Sequence, residues 1–306
     1  MTDADPEFGY IFCAALSRAH LYIGGVALEL EDADHPHAIL FERDNGAWSR
    51  WSMEHRLAGI AAFTDAGIGK LLCVGETGDV EVADAEGADE ERIGDDAGGP
   101  NTLRPLRCVR IVGHHAYAAG AQRQVYRRRL DAAGWQAVDQ GCAIARGGAD
   151  VGSFHAIDGR DEHLLLAVGM GGAIWRCAGG VWEALDSPSG AMLECVLFMG
   201  GERFLAAGAG GVLLSIDGST VRQLAHEATE EAFVGGAVAF GAAYLCTDQG
   251  SLFRFEGDTL TRIDTGAAPV AGGGALAYAD SLLVFVSDTR VQCFDGSSWT
   301  EHDPAA

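Results

Sequence analysis

One nine-residue stretch returns twice without gaps. Leu166-Ala167-Val168-Gly169-Met170-Gly171-Gly172-Ala173-Ile174 is matched by Leu205-Ala206-Ala207-Gly208-Ala209-Gly210-Gly211-Val212-Leu213 and by Tyr244-Leu245-Cys246-Thr247-Asp248-Gln249-Gly250-Ser251-Leu252, each 39 residues after the last. Each copy is an apolar strand ending in small residues, a Gly-rich turn and the start of another strand. A fixed period of this size means stacked supersecondary units, none of which buries its own faces.

Further copies begin at Leu21, Leu72, Tyr117 and Leu283, which makes seven. The expected units are 9–54, 56–94, 104–140, 152–187, 191–226, 232–265 and 273–303. With four strands each, the expectation is an all-β chain, a single seven-bladed β-propeller of four antiparallel strands per blade, one domain over 1–306. The first strands are small where seven of them crowd the axis: Gly59-Ile60-Ala61-Ala62, Gly235-Gly236-Ala237 and Gly274-Ala275-Leu276-Ala277. The third-to-fourth turns carry hairpin residues, as in Asp44-Asn45-Gly46 and Asp217-Gly218-Ser219. Trp48, Trp135, Trp182 and Trp299 recur just after these turns. No long helical period competes. The chain is expected to close by packing its first blade on its seventh.

The layout resembles bacterial propeller repeats of the broad WD40, YVTN and BNR-like group. Cys293-Phe294-Asp295-Gly296-Ser297-Ser298-Trp299 and Ser215-Ile216-Asp217-Gly218-Ser219-Thr220 are similar to degenerate Asp-box turns. The resemblance implies the fold and leaves open sialidase-like enzymes, binding scaffolds and assembly factors.

The formal net charge is −23, from 44 acidic and 21 basic residues. Such a chain repels phosphate backbones and anionic headgroups and attracts a basic protein; the plain alternative is solubility. The eight cysteines are all at least eighteen residues apart, lack metal-ligand spacing and sit mostly in apolar runs, as in a reducing cytosol. Acids at the N-terminus stand where a signal peptide needs Lys or Arg, so a bacterial cytoplasmic location is expected, with no membrane partner.

In a four-stranded blade, the loops between blades share a face with the second-to-third strand loops. The long insertion Glu29-Leu30-Glu31-Asp32-Ala33-Asp34-His35-Pro36-His37 falls there. So do Asp95 and Asp96, Asp150, and Glu227, Glu230 and Glu231. Opposite lie short turns, with Asp84 and Glu86 acidic among them. Glu29, Glu31, Asp32, Asp34, Asp95, Asp96, Asp150, Glu227, Glu230 and Glu231 are therefore the candidate partner-binding residues; the alternative is tolerated, solvated insertions.

Other motifs read as structure. His35 and His37 lack a third and fourth metal ligand and read as a plain surface loop. Gly169-Met170-Gly171-Gly172 is no phosphate loop, since no helix succeeds it and the glycines recur by blade. No G-x-S-x-G elbow is present. Arg56, Arg104 and Arg107 approach the channel mouth but come from two blades only, too few for a sialidase-like site. In Arg123, Arg127, Arg128 and Arg129, strand alternation puts Arg128 opposite Arg127 and Arg129, where it pairs with the preceding acidic stretch.

The favoured expectation is a non-catalytic propeller, monomeric on its own and without cofactor or metal. It captures a basic protein through the acidic loop face, as an immunity or inhibitor protein against a toxin or effector. The alternatives are a small-molecule or glycan site at the axial channel mouth, and an assembly factor for a larger complex.

Overall fold

The computed structural model describes residues 7–32, 34–94, 99–100, 105–144 and 151–305. Seven four-stranded antiparallel sheets form, each a meander whose strands pair in chain order. They span 8–53, 57–92, 106–137, 154–185, 193–223, 233–263 and 275–302. The seven-bladed, all-β expectation is met.

Burial explains the strand compositions. The second strands Leu164–Gly169, Ala242–Thr247 and Leu282–Ser287 are buried at every position, because blades cover both faces of each sheet. They read as unbroken apolar runs for that reason. The fourth strands are outermost, and Gly87–Arg92 is almost wholly exposed. Seven apolar clusters hold the ring, one at each junction of neighbouring blades.

Closure uses packing, not strand exchange. Each sheet is built from one continuous segment. Phe8, Tyr10, Leu21, Ile23 and Phe41 of blade one pack on Leu282, Val284, Val286, Val291 and Cys293 of blade seven. The Phe8 and Tyr10 rings meet Phe41 edge-on at 5.2 and 5.6 Å. The Tyr10 N–H donates to the Asp288 carbonyl at 2.5 Å and continues the inter-blade pattern across the seam.

The repeated glycines are structural. Gly172 has φ 73°, and a Cβ there would lie 1.8 Å from the Ser189 carbonyl oxygen. Gly211 and Gly250 repeat this against Thr229 and Val270. The second-to-third strand turn thus rests directly on the chain leading to the next blade.

Charge also ties blades together. Arg128 of blade three reaches Glu91 of blade two through Nε and Nη2 at 2.9 and 2.7 Å, and both side chains are at most a tenth exposed. Arg127 points the other way, 3.3 Å from Glu162 of blade four. The expected split across the sheet and the pairing of Arg128 with the preceding acids are both present.

These contacts set two expected outcomes. Gly172→Ala combines left-handed strain with a backbone clash, so chemical unfolding is expected to show a loss of about 2 kcal/mol or more. Arg128→Met leaves Glu91 buried without its cation and is expected to cost about 3–5 kcal/mol by the same measurement.

Candidate partner-binding face

The inter-blade loops and the second-to-third strand turns are stitched into one face by backbone hydrogen bonds. The N–H groups of Glu76, Gln122, Met170, Ala209 and Asp248 donate to the carbonyls of Arg56, Gly152, Ser153, Met192 and Ala232.

The blade-one insertion is not an open loop. Leu28–Asp32 forms a helical turn. Arg56 clamps this turn to the chain just beyond it, with Nη1 2.9 Å from Glu31 and Nη2 2.8 Å from Asp34. His37 is buried beneath. Its Nε2 accepts the Ala27 N–H at 2.8 Å, which requires the proton on Nδ1, and Nδ1 donates to the His35 carbonyl at 2.7 Å. Both ring nitrogens are used, so the plain surface-loop reading of His35 and His37 is corrected for His37: it is the core of the turn.

The ten candidate acids divide. Asp95, Asp96 and Asp150 lie outside the described residues. Asp32 ends the helical turn. Glu31 and Asp34 are held by Arg56, and Glu231 accepts the Thr247 hydroxyl at 2.6 Å. Glu29, Glu227 and Glu230 are exposed and form no salt bridge among the described residues. The structure brings Glu31 and Asp34 together through Arg56 and sets Glu227, Glu230 and Glu231 on one inter-blade loop.

The opposite face is more acidic than Asp84 and Glu86 alone suggest, because every blade has an acid in at least one of its two short turns. Many are locally satisfied. Lys70, Arg129, Arg160 and Arg176 pair with Asp65, Asp131, Asp161 and Glu202 at 2.6–3.1 Å. Asp295 accepts the Ser297 hydroxyl and the N–H groups of Ser298 and Ser297, which hold its carboxyl down at about 2. Exposed acids without a salt bridge among the described residues stand on both faces, Glu86, Asp217, Asp258 and Asp280 here and Glu29, Glu227 and Glu230 on the long-loop face.

At the axis lies a feature that residue patterns alone did not show. Six first strands carry a one-residue bulge near their starts. The extra residues are Ile11, Ala58, Arg107, His155, Glu194 and Val234. A bulge turns its residue out of the pleat; Ala58 and Val234 turn into the apolar clusters between blades, the other four toward the channel mouth. Ile11, Ala58 and Arg107 line a cavity of about 250 Å³ together with Arg56, Glu31 and Glu76. His155 Nδ1 lies 2.7 Å from Glu194 Oε2 across two blades. The cue in the sequence was a polar residue, Arg107, His155 or Glu194, second in its first strand directly after a buried apolar one.

Deeper in, Arg110 bonds both oxygens of the buried Asp158 at 3.2 and 3.3 Å. Asp158 also accepts the Phe198 N–H of blade five at 2.8 Å and keeps Arg110 firmly charged. This joins three blades at the axis. Burial pushes the Cys108 and Cys195 thiols up to about 12, so neither is poised as a thiolate nucleophile. His155 has a carboxylate partner, but among the described residues no hydroxyl or thiol bonds its ring. Arg56 and Arg107 reach the mouth as expected, while Arg104 lies outside the described residues.

No family model matches the chain. Among curated proteins it is similar to the immune protein Tsi7 of Pseudomonas aeruginosa, 29% identical over 299 residues that cover 92% of this chain and 93% of that one. Among solved structures it is similar to YCF48 bound to D1 peptide, with TM-score 0.68, 17% identity and 92% and 91% of the two chains covered. The YCF48 of Cyanidioschyzon merolae gives TM-score 0.66, 12% identity, 98% and 97%. Chaetomium thermophilum Sqt1 bound to the N-terminus of ribosomal protein L10 gives TM-score 0.66, 14% identity, 98% and 89%. These structural likenesses show the fold.

Replacing His37 by Ala orphans the Ala27 N–H. It is expected to cost about 1–3 kcal/mol in urea unfolding and to speed amide exchange across 27–35, read by mass spectrometry.

Proposed function

We propose that this chain is an immunity protein, a non-catalytic propeller that binds and neutralises a toxin through its long-loop face. The observation that carries this is the similarity to the immune protein Tsi7, which runs through nine-tenths of both chains and so is not confined to a few blades. The face supplies a physical means. Glu29, Glu227 and Glu230 are exposed without local cations on a chain of charge −23. That field draws in a basic partner and disfavours an acidic one. The chain acts in the cytoplasm as a monomer.

Two consequences are open to measurement. Co-expression with a candidate toxin encoded in the same genome is expected to restore growth to cells arrested by that toxin; continued arrest at matched expression, for every such candidate, overturns the reading. Against the purified toxin, E29Q/E227Q/E230Q is expected to slow association roughly two- to tenfold at low salt, with the difference shrinking as salt rises. The melting temperature should stay unchanged, since exposed charges contribute little to stability. Glu31 and Asp34 are left intact, because their loss would free Arg56 at the mouth and confound the result.

A further inference from the structure

The geometry points to the blade-four and blade-five sector of the long-loop face as the energetic centre of capture, with Met170 and Met192 as an apolar anchor for a side chain of a basic partner protein. The inference rests on the immunity reading and adds where the grip lies.

Met170 is 44% and Met192 41% exposed. Met170 stands at the turn tip where the other repeat copies carry Ala209 and Asp248, so repeat packing does not demand an apolar residue there. The two are neighbours through the backbone. The turn that Met170 opens packs on Ser189 and Gly190, two residues before Met192. The Met192 carbonyl accepts the Ala209 N–H, and the turn after Ala209 rests on Thr229 and Glu230. Both methionines flank the mouth where His155 and Glu194 project.

Beside them an open groove of about 540 Å³ is lined by Trp175, Pro188 and Arg123, with the Arg123 guanidinium 4.9 Å over the indole ring. Met, Trp and Arg are the residues enriched at interface cores, while acids are depleted there and gather at the rim. Met also adapts its shape to what it meets. The surrounding exposed acids, Asp186, Glu227 and Glu230, decide the occupant. A partner seated on this anchor brings its rim against carboxylates, so its apolar contact is bordered by lysine or arginine.

The test sets charge against apolar contact. M170D/M192D adds negative charge to a face that attracts a basic partner while destroying the anchor. Against the toxin identified by growth rescue, surface plasmon resonance is expected to show Kd weakened roughly tenfold or more, mainly through faster dissociation. The melting temperature should be unchanged. I68D, at an exposed apolar site on the opposite face, is expected to bind as the unaltered chain does. Equal or tighter binding by M170D/M192D would mean that charge alone drives capture and overturns the anchor, as would equal weakening by I68D. Failure of the unaltered chain to bind the toxin overturns instead the immunity reading on which the anchor depends.

Discussion

Two-sided burial of the second strands is the constraint on which the rest of the molecule depends. A four-stranded sheet with unbroken apolar runs such as Leu164–Gly169 and Leu282–Ser287 has no stable existence with either face in water. Each blade must be covered on both sides, and only a ring covers the last blade as well as the first. The seam obeys the same rule as the other junctions: Phe8, Tyr10 and Phe41 meet Val284, Val286 and Val291, and the Tyr10 N–H finds the Asp288 carbonyl. No exchanged strand is needed, because the aromatic residues of blade one bring enough apolar surface to the junction.

Ring closure in turn decides where chemistry is available. With both sheet faces consumed by packing, only the two loop faces, the outer strands and the axial channel meet solvent. The bulges exploit the channel. Inserting one residue near the start of a first strand costs one irregular ladder position and delivers a side chain to the mouth. Blades three, four and five place Arg107, His155 and Glu194 there. The Arg110–Asp158 bridge below fixes these blades to one another, so the part of the mouth that carries charge is also rigid.

The fold was legible because a 39-residue period and period-locked glycines leave little else that a chain could be. Gly172, Gly211 and Gly250 recur for a backbone reason, the contact with the next connector, and such reasons leave regular traces. The candidate face was less legible. Reading Glu31 and Asp34 as free acids missed Arg56, twenty-odd residues away and brought near only by the turn between blades. His37 looked exposed because its neighbours are polar, yet its ring replaces a backbone partner for Ala27. The bulges left only a faint trace, a polar second residue in three first strands, because a one-residue insertion leaves composition untouched and shifts only which side of the strand a residue faces.

A net charge of −23 works against compactness, so how its parts are satisfied matters more than its sum. On the short-turn face, acids such as Asp131 and Asp161 sit beside arginines, and Asp295 accepts the amides of its own turn. Those carboxylates contribute to local structure and cast a weakened field outward. On the long-loop face Glu227 and Glu230 have no such partners among the described residues, and their field acts on whatever approaches. Charge of that kind governs how fast a partner arrives and how strongly salt interferes; it holds a complex together weakly, because rim ion pairs stay in water. On the proposed immunity reading, a lasting complex therefore needs a desolvated contact inside the acidic rim. Among the described residues of that face, the surface beside Met170, Met192 and Trp175 combines exposed apolar area with a groove to receive a side chain.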